Sequence, residues 1–162
     1  MPVYHSSFFN DEDFKQACKM PLVPLKDGND RWPYEDDQDD IVEEAIKSFR
    51  ANCLFKSFDI RSNADRLLIY LTLFTLQCIK KCYRNAKTKK EAGKVLNILG
   101  QDRKFPLPGE AKFLMPNALV GKANDAAELD KAKSLLFRCR RWVVRVCLGS
   151  GGGGGSCARG SA

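Results

Sequence analysis

The stretch from Leu67 to Ile79 constrains this chain more than any other part of it. Leu67, Leu68, Ile69, Tyr70, Leu71, Leu73, Phe74, Leu76, Cys78 and Ile79 point in nearly every direction around a helical axis. A helix that is apolar on all sides must be surrounded by other elements. Ser62 is a good N-cap for it, with Asp65 at the third helical position. Lys80, Lys81 and Arg84 suit the negative end of the helix dipole. At about 1.5 Å per residue, a helix from Ala64 to Arg84 is about 30 Å long, enough to span a small domain. Thr72, Thr75 and Gln77 interrupt the run well short of the roughly 20 apolar residues a membrane span needs.

Three further helices are expected around it. Asp40 and Glu43 form a capping-box-like start, and Val42, Ala45, Ile46, Phe49 and Cys53 follow helical spacing toward Leu54. The alternating residues 55–60 then cross to the next element. Thr88 and Glu91 make a second capping box, Ala92, Val95, Leu96 and Leu99 form one stripe, and Gly100 sits where a left-handed C-terminal residue belongs. The last helix begins at Asn124 or Asp125, carries Ala126, Leu129, Ala132 and Leu136 on one side, and runs toward Leu148. Trp142-Val143-Val144 breaks its smooth pattern.

The remainder is extended. Pro2, Pro21, Pro24 and Pro33, with Lys26-Asp27-Gly28-Asn29, interrupt any long helix in residues 1–38. Phe8, Phe9, Phe14, Leu22, Val23, Leu25, Trp32 and Tyr34 are too many large apolar groups for a free tail. They predict an arm lying on its own helices or on a partner. Phe105-Pro106-Leu107-Pro108-Gly109-Glu110 predicts a polyproline-like strap over the core, its tip open to a partner. The fold class expected is all-α: a multihelical single domain whose central apolar helix, about 63–84, is surrounded by other helices, plus an extended N-terminal arm. A length of 162 residues suits one domain.

Several chemistries are excluded. His5 is the sole histidine, so a His-based triad or a two-His metal site within one chain cannot form. The seven cysteines are irregularly spaced without a Cys-x-x-Cys, which argues against a disulfide framework or a zinc site. No apolar segment follows a basic one at the N-terminus, so no secretory signal and a reducing compartment are expected. Five glycines in a row, Gly151 to Gly155, lack the Lys-Ser/Thr and following helix of a phosphate loop. No cofactor, metal or catalytic residue is expected. Charge is uneven: residues 1–60 hold 7 basic and 13 acidic side chains, and residues 61–162 hold 20 and 7. A solvated face, a protein neighbour or a polyanion can each account for that asymmetry. A small basic nucleic-acid-binding domain, with Arg140-Arg141-Trp142 clamping a phosphate and stacking a base, is the alternative function.

The segments Met1-Pro2-Val3-Tyr4-His5-Ser6-Ser7, Asp40 to Ile46, Phe49 to Asn52, Ala64 to Leu73 and Phe105 to Glu110 together resemble subunit three of the actin-related-protein two/three complex. The resemblance runs through residues 1–136. It implies an all-helical, non-catalytic subunit of a seven-part cytoplasmic machine that nucleates branched actin filaments. It implies packing chiefly against the actin-related protein three subunit and contact with the actin filament through the complex, with no nucleic acid or membrane span involved. Tyr4, His5 and Ser6 in the arm, and Phe105, Pro106, Leu107, Pro108, Gly109 and Glu110 in the strap, are the expected partner contacts. Residues 137–162 depart from the family and are expected to be a flexible basic, Gly-rich tail or a frame-shifted end. The neighbouring frame over Arg140 to Val146 can spell Gln-Glu-Val-Gly-Gly-Ala-Arg-Leu, close to what the family carries there.

Overall fold

The computed structural model describes residues 3–8, 13–54 and 58–149. In chain order these form β1 (Gln16–Ala17), β2 (Met20–Pro21), α1 (Ile41–Lys47), α2 (Phe49–Asn52), α3 (Asn63–Asn85), α4 (Lys89–Gln101) and α5 (Ala126–Cys147). The architecture is largely helical, and α3 touches α1, α2, α4, α5 and β2. The expectation of an all-α chain did not include the two-stranded ribbon. Its strands pair antiparallel, Gln16 with Pro21 and Ala17 with Met20. The connecting Cys18 and Lys19 both take positive φ, 54° and 62°, a conformation that usually calls for Gly or Asn. Two distant bonds hold it: the Cys18 N–H donates to Glu128 (2.7 Å) and the Gly121 N–H donates to the Cys18 carbonyl (3.1 Å).

α3 begins as expected, with Ser62 accepting from the Asp65 N–H. Leu67, Leu68, Tyr70, Leu71, Phe74 and Cys78 are buried, each large apolar side chain worth about 1.5–3 kcal/mol against exposure. The surrounding is incomplete, however. Ile69, Leu73 and Leu76 are half-buried, while Ile79 is 49 % and Tyr83 90 % exposed.

The helix expected from Asp40 to Leu54 is two. α1 carries the predicted capping box of Asp40 and Glu43, then stops at Ser48. There the hydroxyl donates back to the Glu44 carbonyl (2.7 Å), an interaction that bends helices. α2 then adds one turn that ends on Asn52. Of the alternating stretch expected next, residues 55–57 lie outside the described residues, and residues 58–60 form no strand.

α4 has its Thr88–Glu91 capping box, but Gly100 is not its left-handed terminus. It lies inside the helix and is buried. A β-carbon there would stand 3.0 Å from Val144 Cγ2, so Gly100 is where α4 and α5 approach closely. Gly100→Ala is expected to cost about 1 kcal/mol. The roughly 1 kcal/mol gain in helix propensity is outweighed by overpacking of about 1–3 kcal/mol. In a Val144→Ala background the same change is expected to stabilise. Urea midpoints of the four proteins at unchanged m-value measure that reversal.

α5 is capped by Asp125 and runs unbroken past Phe137 to Cys147. Its last turns are docked rather than loose: Cys139, Trp142, Val143 and Val144 are buried. Trp142 Nε1 donates to Asp40 (2.7 Å), and Arg138 pairs with Asp27 (2.9 Å) and Asp30 (2.7 Å). The part of the expected tail from 150 onward lies outside the described residues.

Candidate functional site

The arm residues Tyr4 to Phe8 lie across the junction of α1, α2 and α3. Asn52 clamps Tyr4 by its backbone, accepting from the Tyr4 N–H (3.0 Å) and donating to the Tyr4 carbonyl (3.1 Å). Asp65 is fully buried and takes three donors. These are the Ser6 N–H (2.9 Å), the Arg61 N–H (2.9 Å) and, paired with one carboxylate oxygen, His5 Nδ1 (2.8 Å). Glu44 accepts the Ser6 hydroxyl (2.8 Å), the Ser7 N–H (3.0 Å) and the Ser7 hydroxyl. His5 meets the Phe58 ring edge-on at 5.2 Å. The arm therefore lies on its own helices.

This placement divides the expected contact residues. Ser6, one of the expected partner contacts, is buried, with its N–H on Asp65 and its hydroxyl on Glu44. His5 is largely engaged by Asp65. Tyr4 is held only by its backbone and leaves its side chain 55 % exposed.

The strap divides the same way. Phe105 and Pro108 are buried, Pro106 and Leu107 half-buried, Gly109 and Glu110 exposed. Glu110 closes the tip twice, donating its N–H to the Leu107 carbonyl (3.0 Å) and accepting the Leu107 N–H on its carboxylate (3.0 Å). Gly109 has φ 98° there, which a residue with a β-carbon adopts only under strain. Beyond the tip, Phe113 stacks on Tyr70 at 5.4 Å.

Phe105 also covers Arg140. That guanidinium lies between the rings of Phe74 (4.4 Å) and Phe105 (4.5 Å) and is 4 % exposed. It reaches Tyr70 Oη at 3.5 Å and the Leu99 carbonyl at 3.4 Å, and its Nε has no partner among the described residues. Of the run expected to clamp a phosphate and stack a base, Arg140 and Trp142 are buried and Arg141 alone is exposed. The nucleic-acid alternative loses its anchor.

The Asp27–Arg138 pair has a pH signature. Burial alone would raise the Asp27 carboxyl, but hydrogen bonds from Arg138 and Asn29 hold it below the usual carboxylate range. Its contribution is complete above the unfolded value of about 3.9 and is lost as pH falls through the lower folded value. The stability gap between the wild type and Asp27→Asn is expected to be constant from pH 7 to about pH 5 and to close below about pH 4. Urea unfolding of both proteins across that range measures it.

The described cysteines are free. Burial pushes the Cys78 thiol up to about 12 and raises Cys139 as well, which keeps both protonated and inert at neutral pH. Among the described residues no group of three or more His, Cys, Asp and Glu side chains is placed to hold a metal ion, and no helix is long and apolar enough to cross a membrane. Sequence reasoning missed the arm's receptors, Asn52, Glu44 and Asp65, because contacts across 38 to 60 residues leave no local signal.

Residues 1–148 match the model of the P21-Arc family, described as the ARPC3 (21 kDa) subunit of the ARP2/3 complex. Among curated proteins, "Actin-related protein 2/3 complex subunit 3" of Arabidopsis thaliana is 42 % identical over 131 residues, covering 78 % of this chain and 74 % of the relative. The protein of that name from Schizosaccharomyces pombe is 40 % identical over 143 residues, 87 % of this chain and 80 % of the relative. The one from Dictyostelium discoideum is 37 % identical over 150 residues, 90 % and 83 %. The family match extends beyond Phe137, where the resemblance was expected to end.

Proposed function

The chain belongs to the P21-Arc family, the ARPC3 subunit of the ARP2/3 complex, and we propose from that membership that it packs chiefly against actin-related protein 3 in a seven-part assembly nucleating branched actin filaments. It is a structural subunit of that complex. The observation that carries this is the family match over residues 1–148, together with relatives 37–42 % identical over most of the chain. Its role is non-catalytic and its place is the cytoplasmic actin cytoskeleton. The buried, protonated thiols and the intramolecular use of His5, Asp65 and Glu44 fit a scaffold better than an enzyme.

The contacts divide by exposure. Tyr4 and the tip residues Gly109 and Glu110 face outward and meet the partner. His5, Ser6, Phe105 and Pro108 shape those two outward points from beneath. A photocrosslinking residue at Tyr4 or Glu110, in the complex purified through this chain, is expected to label actin-related protein 3. Labelling confined to other subunits would rule out this assignment.

We also propose a working domain that reaches through α5; the burial of Trp142 and Val143 supports it. A shifted reading frame near codon 137 is still proposed for the chain's end. Arg140, buried without a carboxylate and with Nε unpartnered, is the kind of local inconsistency that selected sequences avoid. An uninterrupted transcript across codons 136–140 would refute the shift.

A further inference from the structure

The apolar-all-round pattern of α3 makes a demand that this chain meets on one side only. Opposite the core edge, Leu73 and Leu76 line a groove of about 280 Å³ walled by Leu114, just past the strap, with Gln77, Lys80, Lys81 and Arg84 completing its lining. Residues 73, 76, 77, 80 and 84 fall on one side of a helix, so the groove follows the axis of α3 for about 16 Å at 1.5 Å per residue. It is apolar at its start and basic at its end. Lys80, Lys81 and Arg84 are exposed, and no ion pair among the described residues involves them. Between the two ends, Gln77 Oε1 is buried without a hydrogen-bond partner among the described residues.

We propose that this groove docks an acidic amphipathic helix of a neighbouring protein in the assembly. The proposal rests on the reading of this chain as a subunit and names a surface for it. The occupant sets apolar anchors one and two turns apart onto Leu73, Leu76 and Leu114. It carries carboxylates onto Lys80, Lys81 and Arg84. The helix-in-groove mode fits because three turns of α3 are uncovered in one line. An anionic polymer would use the three cations but would leave the leucines without partners.

The test places benzoylphenylalanine at Leu76, and separately at the exposed Lys81 in case the first variant folds poorly, in the full chain within the purified complex. Crosslinked peptides are sequenced. The expected result is a helical segment of another subunit with at least two Asp or Glu within two turns of the crosslink. Yield should fall at least tenfold with Lys80→Glu and Arg84→Glu, and should recover when the partner's carboxylates are reversed to Lys. Crosslinks only to this chain's own residues 150–162, to nucleic acid, or to a segment without carboxylates would overturn the proposal, as would a yield indifferent to charge reversal. If the unmodified chain does not enter the complex at all, the subunit reading fails. If it enters normally and the groove stays unlabelled, the groove proposal alone fails.

Discussion

Asp65→Ala is expected to destabilise the fold by about 3 kcal/mol and to free the N-terminal arm. Asp65 is fully buried and accepts from the Ser6 and Arg61 N–H groups while pairing with His5. Hydrogen bonds to charged groups are worth about 1.5–3 kcal/mol each, and two orphaned backbone donors add their desolvation cost. The sum is less than additive, because the arm can rehydrate once it lifts. Asp65→Asn should lose less, since one oxygen still accepts while the amide turns a donor toward another donor. The second readout is local. Limited proteolysis should cut within residues 3–8 of Asp65→Ala under conditions where the wild type is intact. A loss below about 0.5 kcal/mol with no new cleavage would mean that Asp65 does not hold the arm.

Trp142→Ala is expected to cost about 3–5 kcal/mol, the usual range for emptying a large buried aromatic site. Trp142 is 4 % exposed, and its Nε1–H donates to Asp40. Asp40 also accepts the Glu43 N–H (2.8 Å) as N-cap of α1 and the Lys26 N–H (2.9 Å) from the arm. One carboxylate thus ties three parts of the chain together. Burial pushes its carboxyl up despite those donors, so each lost donor is felt. Trp142→Phe separates the hydrogen bond from the packing and should cost about 1–2 kcal/mol. Asp40→Ala combined with Trp142→Ala should cost less than the two single changes added together. If residues 137–147 were an undocked tail, Trp142→Ala would be neutral in urea unfolding.

Local chemistry in the sequence determined much of this fold. The caps at Asp40, Ser62 and Thr88 were readable because a short polar side chain followed by Asp or Glu is a complete signal within four residues; the last helix was placed only to Asn124 or Asp125, and Asp125 caps it. The apolar stripes were readable for the same reason. What failed was long-range. Gly100 looks like a terminus in sequence, but its purpose is to admit Val144 from a helix 44 residues away. The Cys18-Lys19 turn has no turn-forming residues because Glu128 and Gly121 impose it. Ser48 ends α1 by bonding backward, a choice periodicity does not register.

The candidate site was legible in outline. The arm and the strap were singled out because neither fits a helical stripe, yet the sequence does not say that Ser6 turns inward while Tyr4 turns out. That split depends on Asn52 and Asp65, which read locally as ordinary helix residues. The α3 groove shows the reverse case. A helix apolar on every side implied neighbours all round, and the uncovered remainder of that pattern, Leu73 and Leu76 beside Lys80 and Lys81, is the surface proposed for a neighbour from outside the chain.

The most direct test of the subunit assignment is to tag this chain in its own cells and follow it through gel filtration at physiological salt. The chain is expected to elute with the complex, in constant ratio to the two actin-related proteins and far ahead of its own 18.2 kDa. Elution as a free chain, or with nucleic acid that salt removes, would contradict it.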